Sequence, residues 1–230
     1  MAETKQVIEN DDQQVVVDRA RDFWSRYSRP VLIASAAIIV LCGGYLAYKY
    51  AIQRPQEEKA LESMFKAEEY YRMDSLNAAL NGDGVNAGFL KVIDKSGGTP
   101  AGNLARFYAG SIYLKQGNPA NAAKYLADFK TDAKQIQARA YKLLGDAYAE
   151  QGKNSDALDA YKKAAHHFED DDVNSSEYLF LAAYFAARVA NNQKEAVDLF
   201  KELKDKFPRT EKGFEAEKYL AQLGVYSDSK

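Results

Sequence analysis

Two adjacent histidines, His166 and His167, stand just before Phe168 and the acidic run Glu169-Asp170-Asp171-Asp172. In this stretch of the sequence imidazole nitrogens and carboxylates fall close together. Those are groups a divalent cation would take as ligands. The run lacks the spaced oxygen ligands and the glycine of a calcium loop, and it falls between two helical segments, where a solvated acidic turn is the simpler reading. The chain has two histidines and one cysteine, Cys42. A disulfide framework and a Cys/His metal cluster within the chain are therefore excluded, and no nucleophile has a plausible histidine base beside it. The glycine pairs Gly43-Gly44 and Gly97-Gly98 lack the strand, lysine and helix that make a phosphate-binding loop. The sequence thus predicts no catalytic residue, no metal site and no cofactor, which directs attention to binding and to the elements that would support it.

Lys and Arg number 31 against 33 Asp and Glu, for a net charge of -2, so there is no overall basic field to hold nucleic acid. Hydrophobic residues make up 47% and charged residues 28% of 230 positions. That is ordinary for a folded protein with room for one good-sized domain and an appendage. The mean hydropathy of -0.48 conceals one local extreme.

From Val31 to Tyr48 eighteen residues pass without a charge. As a helix this run is about 27 Å long, enough for the hydrocarbon core of a bilayer. Trp24 and Tyr27 before it, and Tyr45, Tyr48 and Tyr50 at its end, suit the two interfaces. A buried core helix and a cleaved signal peptide are the alternatives. The long preceding tail and the lack of a small-x-small site weigh against cleavage, and Leu41 directly before Cys42 weighs against lipoprotein processing. The reading is a retained anchor at 30–50 in contact with the lipid bilayer, preceded by a tail at 1–29. The tail is expected to be disordered through residue 14, and residues 15–27 either form an amphipathic surface helix or remain a solvated leader. Arg19, Arg21, Arg26 and Arg29 before the span balance Lys49, Arg54, Lys59 and Lys66 after it. The positive-inside rule therefore leaves orientation open. Ala36, Gly43 and Ala47 share one face of the span, where a partner helix could pack closely.

Beyond the anchor, residues 51–230 read as all-α. No proline occurs between Ala120 and Phe207, and apolar residues recur at three- and four-residue spacing. Helices are expected near 56–80, 86–95, 100–116, 119–130, 134–151, 154–167, 175–190, 193–206 and 210–223. Tyr141, Leu144, Gly145, Tyr148, Gly152, Ala157, Tyr161 and Ala164 repeat at the spacing of Ala109, Gly110, Tyr113, Gly117, Ala122, Leu126 and Phe129, offset by 35 positions. Small residues would let two helices approach while large ones fill the seam, giving a helical hairpin. This pattern resembles the tetratricopeptide repeat, with repeats near 103–130, 138–165 and 177–208 and a capping helix at 210–223. In the third repeat, Ala183, Tyr184, Ala187, Ala196, Phe200 and Leu203 fit less well, because Tyr184 stands where a small residue is expected.

By that family pattern the concave groove is lined by Leu104, Phe107, Ser111 and Leu114, then Arg139, Lys142, Asp146 and Ala149, then Tyr178, Leu181, Phe185 and Arg188. The first and third sets are largely apolar, which would suit an apolar peptide or an unfolded exported polypeptide. Alternatively the helix at 56–80 fills the groove. The carboxylate clamp of chaperone adaptors in this family needs matched lysines and asparagines. Only Lys142 is present here, with Asp146 in place of an asparagine, so that mode is disfavoured.

A charged tail with Arg21-Asp22-Phe23-Trp24, one span, a long helix and three degenerate repeats together resemble the YfgM-like family, ancillary subunits of the bacterial SecYEG translocon. The resemblance implies a single-pass inner-membrane protein with a cytoplasmic amino terminus and a periplasmic repeat domain. Its implied partners are SecYEG and a membrane-anchored prolyl isomerase of the PpiD type, and its implied role is non-enzymatic assistance to newly exported chains. An envelope-assembly or cell-division scaffold binding folded partners is a rival reading. An outer-membrane import receptor of an organelle is another, weakened by the missing clamp.

Overall fold

The computed structural model describes the backbone of residues 2–226 and the side chains of residues 21–226. The chain divides after Pro55 into two units. In the first, α1 runs from Ala2 to Tyr48 with Pro30 inside it and passes into a π-helical turn, Lys49–Gln53. The helix therefore includes the backbone of residues 2–14, over which the sequence predicts no regular structure. No glycine, and no proline before Pro30, interrupts that stretch. The amphipathic face expected over 15–27 falls partly on side chains outside the described residues. The apolar run lies wholly on the surface of this unit, with none of it buried. Ile39, Val40 and Leu41 are all at least 70% exposed. The segment is long and apolar enough to cross a membrane.

The second unit is all-helical, and among the described residues the only extended pairing is an isolated bridge between Gly82 and Ala87. It begins in α2 (Arg54–Arg72), followed by α3 (Leu76–Asn81) and α4 (Phe89–Ser96). The single helix expected at 56–80 is thus corrected to two. Asp74 sits in the left-handed region at φ 57°, a conformation that Asp tolerates through local hydrogen bonding and that a helix cannot contain. The Ser75 amide turns back to the Tyr70 carbonyl at 2.9 Å. Lys115 holds Asp74 in place at 3.2 Å.

Three hairpins follow: α5 (Pro100–Lys115) with α6 (Pro119–Asp128), α7 (Lys134–Glu150) with α8 (Asn154–His167), and α9 (Asp172–Arg188) with α10 (Gln193–Lys206). Helix α11 (Glu211–Gln222) closes the array. Their starts are written locally. Thr99, Asn118, Asp171, Asn192 and Thr210 each accept an amide hydrogen bond from the first turn of the helix they precede. Proline follows at Pro100 and Pro119, where its missing N–H costs nothing.

The hairpins close where a helix offers no side chain. A Cβ on Gly145 would stand 2.5 Å from Cδ1 of Tyr161, and one on Gly110 would stand 2.5 Å from Cγ of Leu126. The reversing turns carry a positive φ at Gly117, Gly152 and Asn191. The first two turns span three residues each, Gln116–Asn118 and Gln151–Lys153, whereas the third spans four, Val189–Asn192. That extra residue shifts α9 by one position relative to α10. The small position of the third hairpin is therefore Ala183, fully buried, while Tyr184 is 41% exposed and Phe185 only 7% exposed. This removes the misfit of Tyr184 that the sequence pattern presents.

Tyr161 cannot swing away from an added methyl, because its hydroxyl is bonded to Asp146 Oδ1 at 3.0 Å. Gly145→Ala should therefore cost about 1–3 kcal/mol by overpacking, outweighing the ~0.5–1 kcal/mol that Ala gains over Gly in a helix. Thermal unfolding followed by circular dichroism should show a midpoint lowered by a few degrees. An unchanged or higher midpoint would contradict the close approach.

Candidate functional site

A cavity of about 420 Å³ opens on the inner helices of the first two hairpins. Of the twelve groove positions expected from the repeat pattern, Ser111, Leu114, Arg139, Asp146 and Ala149 line it. Tyr71 of α2 forms one wall, its hydroxyl 3.2 Å from Ser111 Oγ and its ring edge-on to Tyr108 at 5.2 Å. Phe89 stacks on the same Tyr108 ring at 4.8 Å. Helix α2 thus covers part of the face of the first hairpin and leaves the remainder open.

The lining mixes an apolar strip, Leu114, Leu143 and Ala149, with side chains that are close to charge-balanced. Lys115 and Arg139 face Asp146 and Glu150 around the cavity. Asp146 is already engaged, since Lys142 Nζ bonds its Oδ2 at 2.7 Å and the Tyr161 hydroxyl donates to its Oδ1. Burial, reinforced by the Asp146 charge and hydrogen bond, pushes the Tyr161 phenol far above its ordinary range, so it remains a donor at every physiological pH. Lys115 and Glu150 occupy equivalent places, one position after Leu114 and Ala149 in their repeats. They carry opposite charge, a signal that the repeat comparison contained.

The remaining expected groove residues lie elsewhere. Leu104 and Phe107 pack between helices, Phe107 against Phe129 with ring centroids 5.4 Å apart. Phe185 is core: its ring meets Tyr161 edge-on at 5.3 Å. Leu181 and Tyr178 pack partly against the same C-terminal core. Arg188 is exposed and reaches Gln222 at 3.4 Å. The apolar third set is therefore replaced at the surface by Tyr184, with Phe180 partly buried beside it beneath Lys212 at 4.9 Å. The register shift of α9 is the reason. In the first unit Ala36, Gly43 and Ala47 are exposed, and nothing stands within 4 Å of a Cβ placed on Gly43.

The histidine and acidic stretch gains a partner that the sequence does not show. His166 Nε2 is 2.8 Å from Glu202 Oε1, and ligand atoms of His166, Glu169 and Glu202 lie within 4.8 Å of one another. The Lys206 ammonium bonds both carboxylates, at 2.7 Å to Glu169 and 3.0 Å to Glu202. The focus of negative charge is thus taken by a cation from the chain itself, and the cluster works as an ionic link from α10 to α8 and the turn after it. Burial opposes ionisation of Glu202, but hydrogen bonds from Lys206 and His166 outweigh it and hold the carboxyl below its usual range.

A family model for the tetratricopeptide repeat matches residues 110–172 and again 142–209. These matches run from the second half of α5 to just past α10, and the tetratricopeptide repeats they detect are typically protein-interaction modules rather than catalysts. Comparison with curated proteins finds no match.

Phe185→Asp should cost about 3 kcal/mol or more, because a carboxylate would replace a packed core ring. Tyr184→Asp, which loses only ring contacts at the edge with Phe180 and Tyr219, should cost clearly less, about 1 kcal/mol. Equal effects of the two would contradict the shifted register. Separately, since the folded state lowers the Glu202 pKa, the link stabilises above the ordinary carboxylate range and is lost on acidification. The stability difference between the parent and Glu202→Gln, about 1 kcal/mol or less for so exposed a pair, should therefore begin to fall as the pH drops through the ordinary carboxylate range of about 4.3 and be gone only below the depressed folded-state value. A difference independent of pH would sink this assignment.

Proposed function

We propose that this tetratricopeptide-repeat protein is a non-enzymatic, membrane-anchored interaction subunit that serves the Sec translocon of a bacterial inner membrane. Its amino terminus is cytoplasmic and its repeats periplasmic, where they assist newly exported chains together with a membrane-anchored PpiD-type prolyl isomerase. One observation carries the reading: a single apolar helix, long enough to span a bilayer, precedes a short array of repeats with an open groove. That order matches the YfgM-like resemblance.

The charge of the groove refines what it takes. Arg139 and Glu150 beside Leu114, Leu143 and Ala149 offer ion pairs and an apolar strip, which suits a defined peptide or the edge of a folded partner better than an arbitrary apolar chain. The same observation favours a second reading, an envelope-assembly or cell-division scaffold that binds folded partners only.

The test is recovery of the full-length protein in mild detergent with identification of what remains bound. Translocon subunits and a prolyl isomerase are expected, and Gly43→Ile should diminish the membrane partner if Ala36, Gly43 and Ala47 form the packing face. Recovery of envelope-assembly proteins without translocon subunits would replace this reading with the scaffold.

A further inference from the structure

Apart from the groove, α2 and α4 flank a larger cleft of about 570 Å³. Lys59 and Lys66 line it from α2, and Lys91 and Lys95 from α4, with buried Ala60 and Val92 also in its lining. Glu62 is the one carboxylate among its lining residues. Lys66 is partnered by Glu69 at 2.7 Å. Among the described residues, Lys59, Lys91 and Lys95 have no carboxylate within ion-pair distance. Four lysines against one carboxylate line this cleft, and in a chain of net charge -2 composition does not impose that excess. Lys59, Lys91 and Lys95 are thus available to an anion bound there.

We propose that this cleft binds an extended acidic segment of a partner protein. Lys59 and Lys66 are separated by about 10 Å along α2, and Lys91 and Lys95 by about 6 Å along α4, from the helical rise. An extended chain sends successive side chains to opposite sides and repeats on one side every ~6.6 Å. A run of Asp and Glu therefore presents carboxylates to both walls at once, at a spacing near that of Lys91 and Lys95, while Lys59 and Lys66 lie between one and two such steps apart and are reached by their long side chains. A lone phosphate engages only part of this spread. The cleft uses no residue of the groove, so the proposal stands or falls independently of the translocon reading.

The test uses the full-length protein in a neutral detergent with fluorescent hexaglutamate and hexaglutamine peptides. Hexaglutamate should bind and weaken with added salt. Lys91→Gln with Lys95→Gln should reduce its affinity by about fivefold to tenfold, the loss of two partly screened ion pairs. The control pair Lys194→Gln with Lys218→Gln, which removes equal charge from exposed positions elsewhere, should leave affinity unchanged. The proposal is overturned by equal binding of hexaglutamine, by an equal loss in the control pair, or by no loss in the cleft variant. Competition by inorganic phosphate, or by the soluble anionic headgroup glycerophosphoglycerol, as strong as that by hexaglutamate would overturn it too.

Discussion

The close approach of paired helices at Gly110, Gly145 and Ala183 is the constraint from which the repeat domain is built. With no Cβ at Gly110 and Gly145, the second helix brings Leu126 and Tyr161 into the seam, and in the third hairpin the small Ala183 is buried in one core cluster with Phe200. Burial of that seam supplies the hydrophobic driving force, and the caps and positive-φ turns define where each hairpin begins and reverses. Each hairpin then leaves a face that only its neighbour can cover. The cores accordingly run from α2 through to α11 as three successive clusters rather than one centre.

Two ends of such an array need closure, and the chain treats them differently. At the carboxyl end α11 lays Tyr219 against Phe180, Tyr184 and Phe200, leaving Tyr184 as an aromatic surface. At the amino end α2 buries Ala60, Met64 and Ala67 and sends Tyr71 into the mouth of the groove. The same helix presents Lys59 and Lys66 to the cleft beside α4. One helix thus closes the core, narrows one opening and lines another. The break at Asp74 ends it before it can run farther along the groove.

Much of this protein was legible in its sequence. The long apolar helix, the helix starts at Thr99, Asn118, Asn192 and Thr210, the turns at Gly117 and Gly152, and the first two repeats all follow from signals that act within one or two helical turns. Capping, backbone preference and hydrophobic period are local physics, and local sequence carries them.

The faces that those elements show to water were settled only by tertiary structure. One extra residue in the Val189–Asn192 turn rotates α9, burying Phe185 and exposing Tyr184, and the period alone cannot tell which of two adjacent aromatics will meet the neighbouring hairpin. Likewise Tyr71 reaches Ser111 from 40 positions away, and Lys206 claims the carboxylate of Glu169 from 37 away. Periodicity states which residues share a side of a helix. Which side becomes core, groove or cleft depends on what a distant part of the chain packs against it, and that information exists only once the chain has folded.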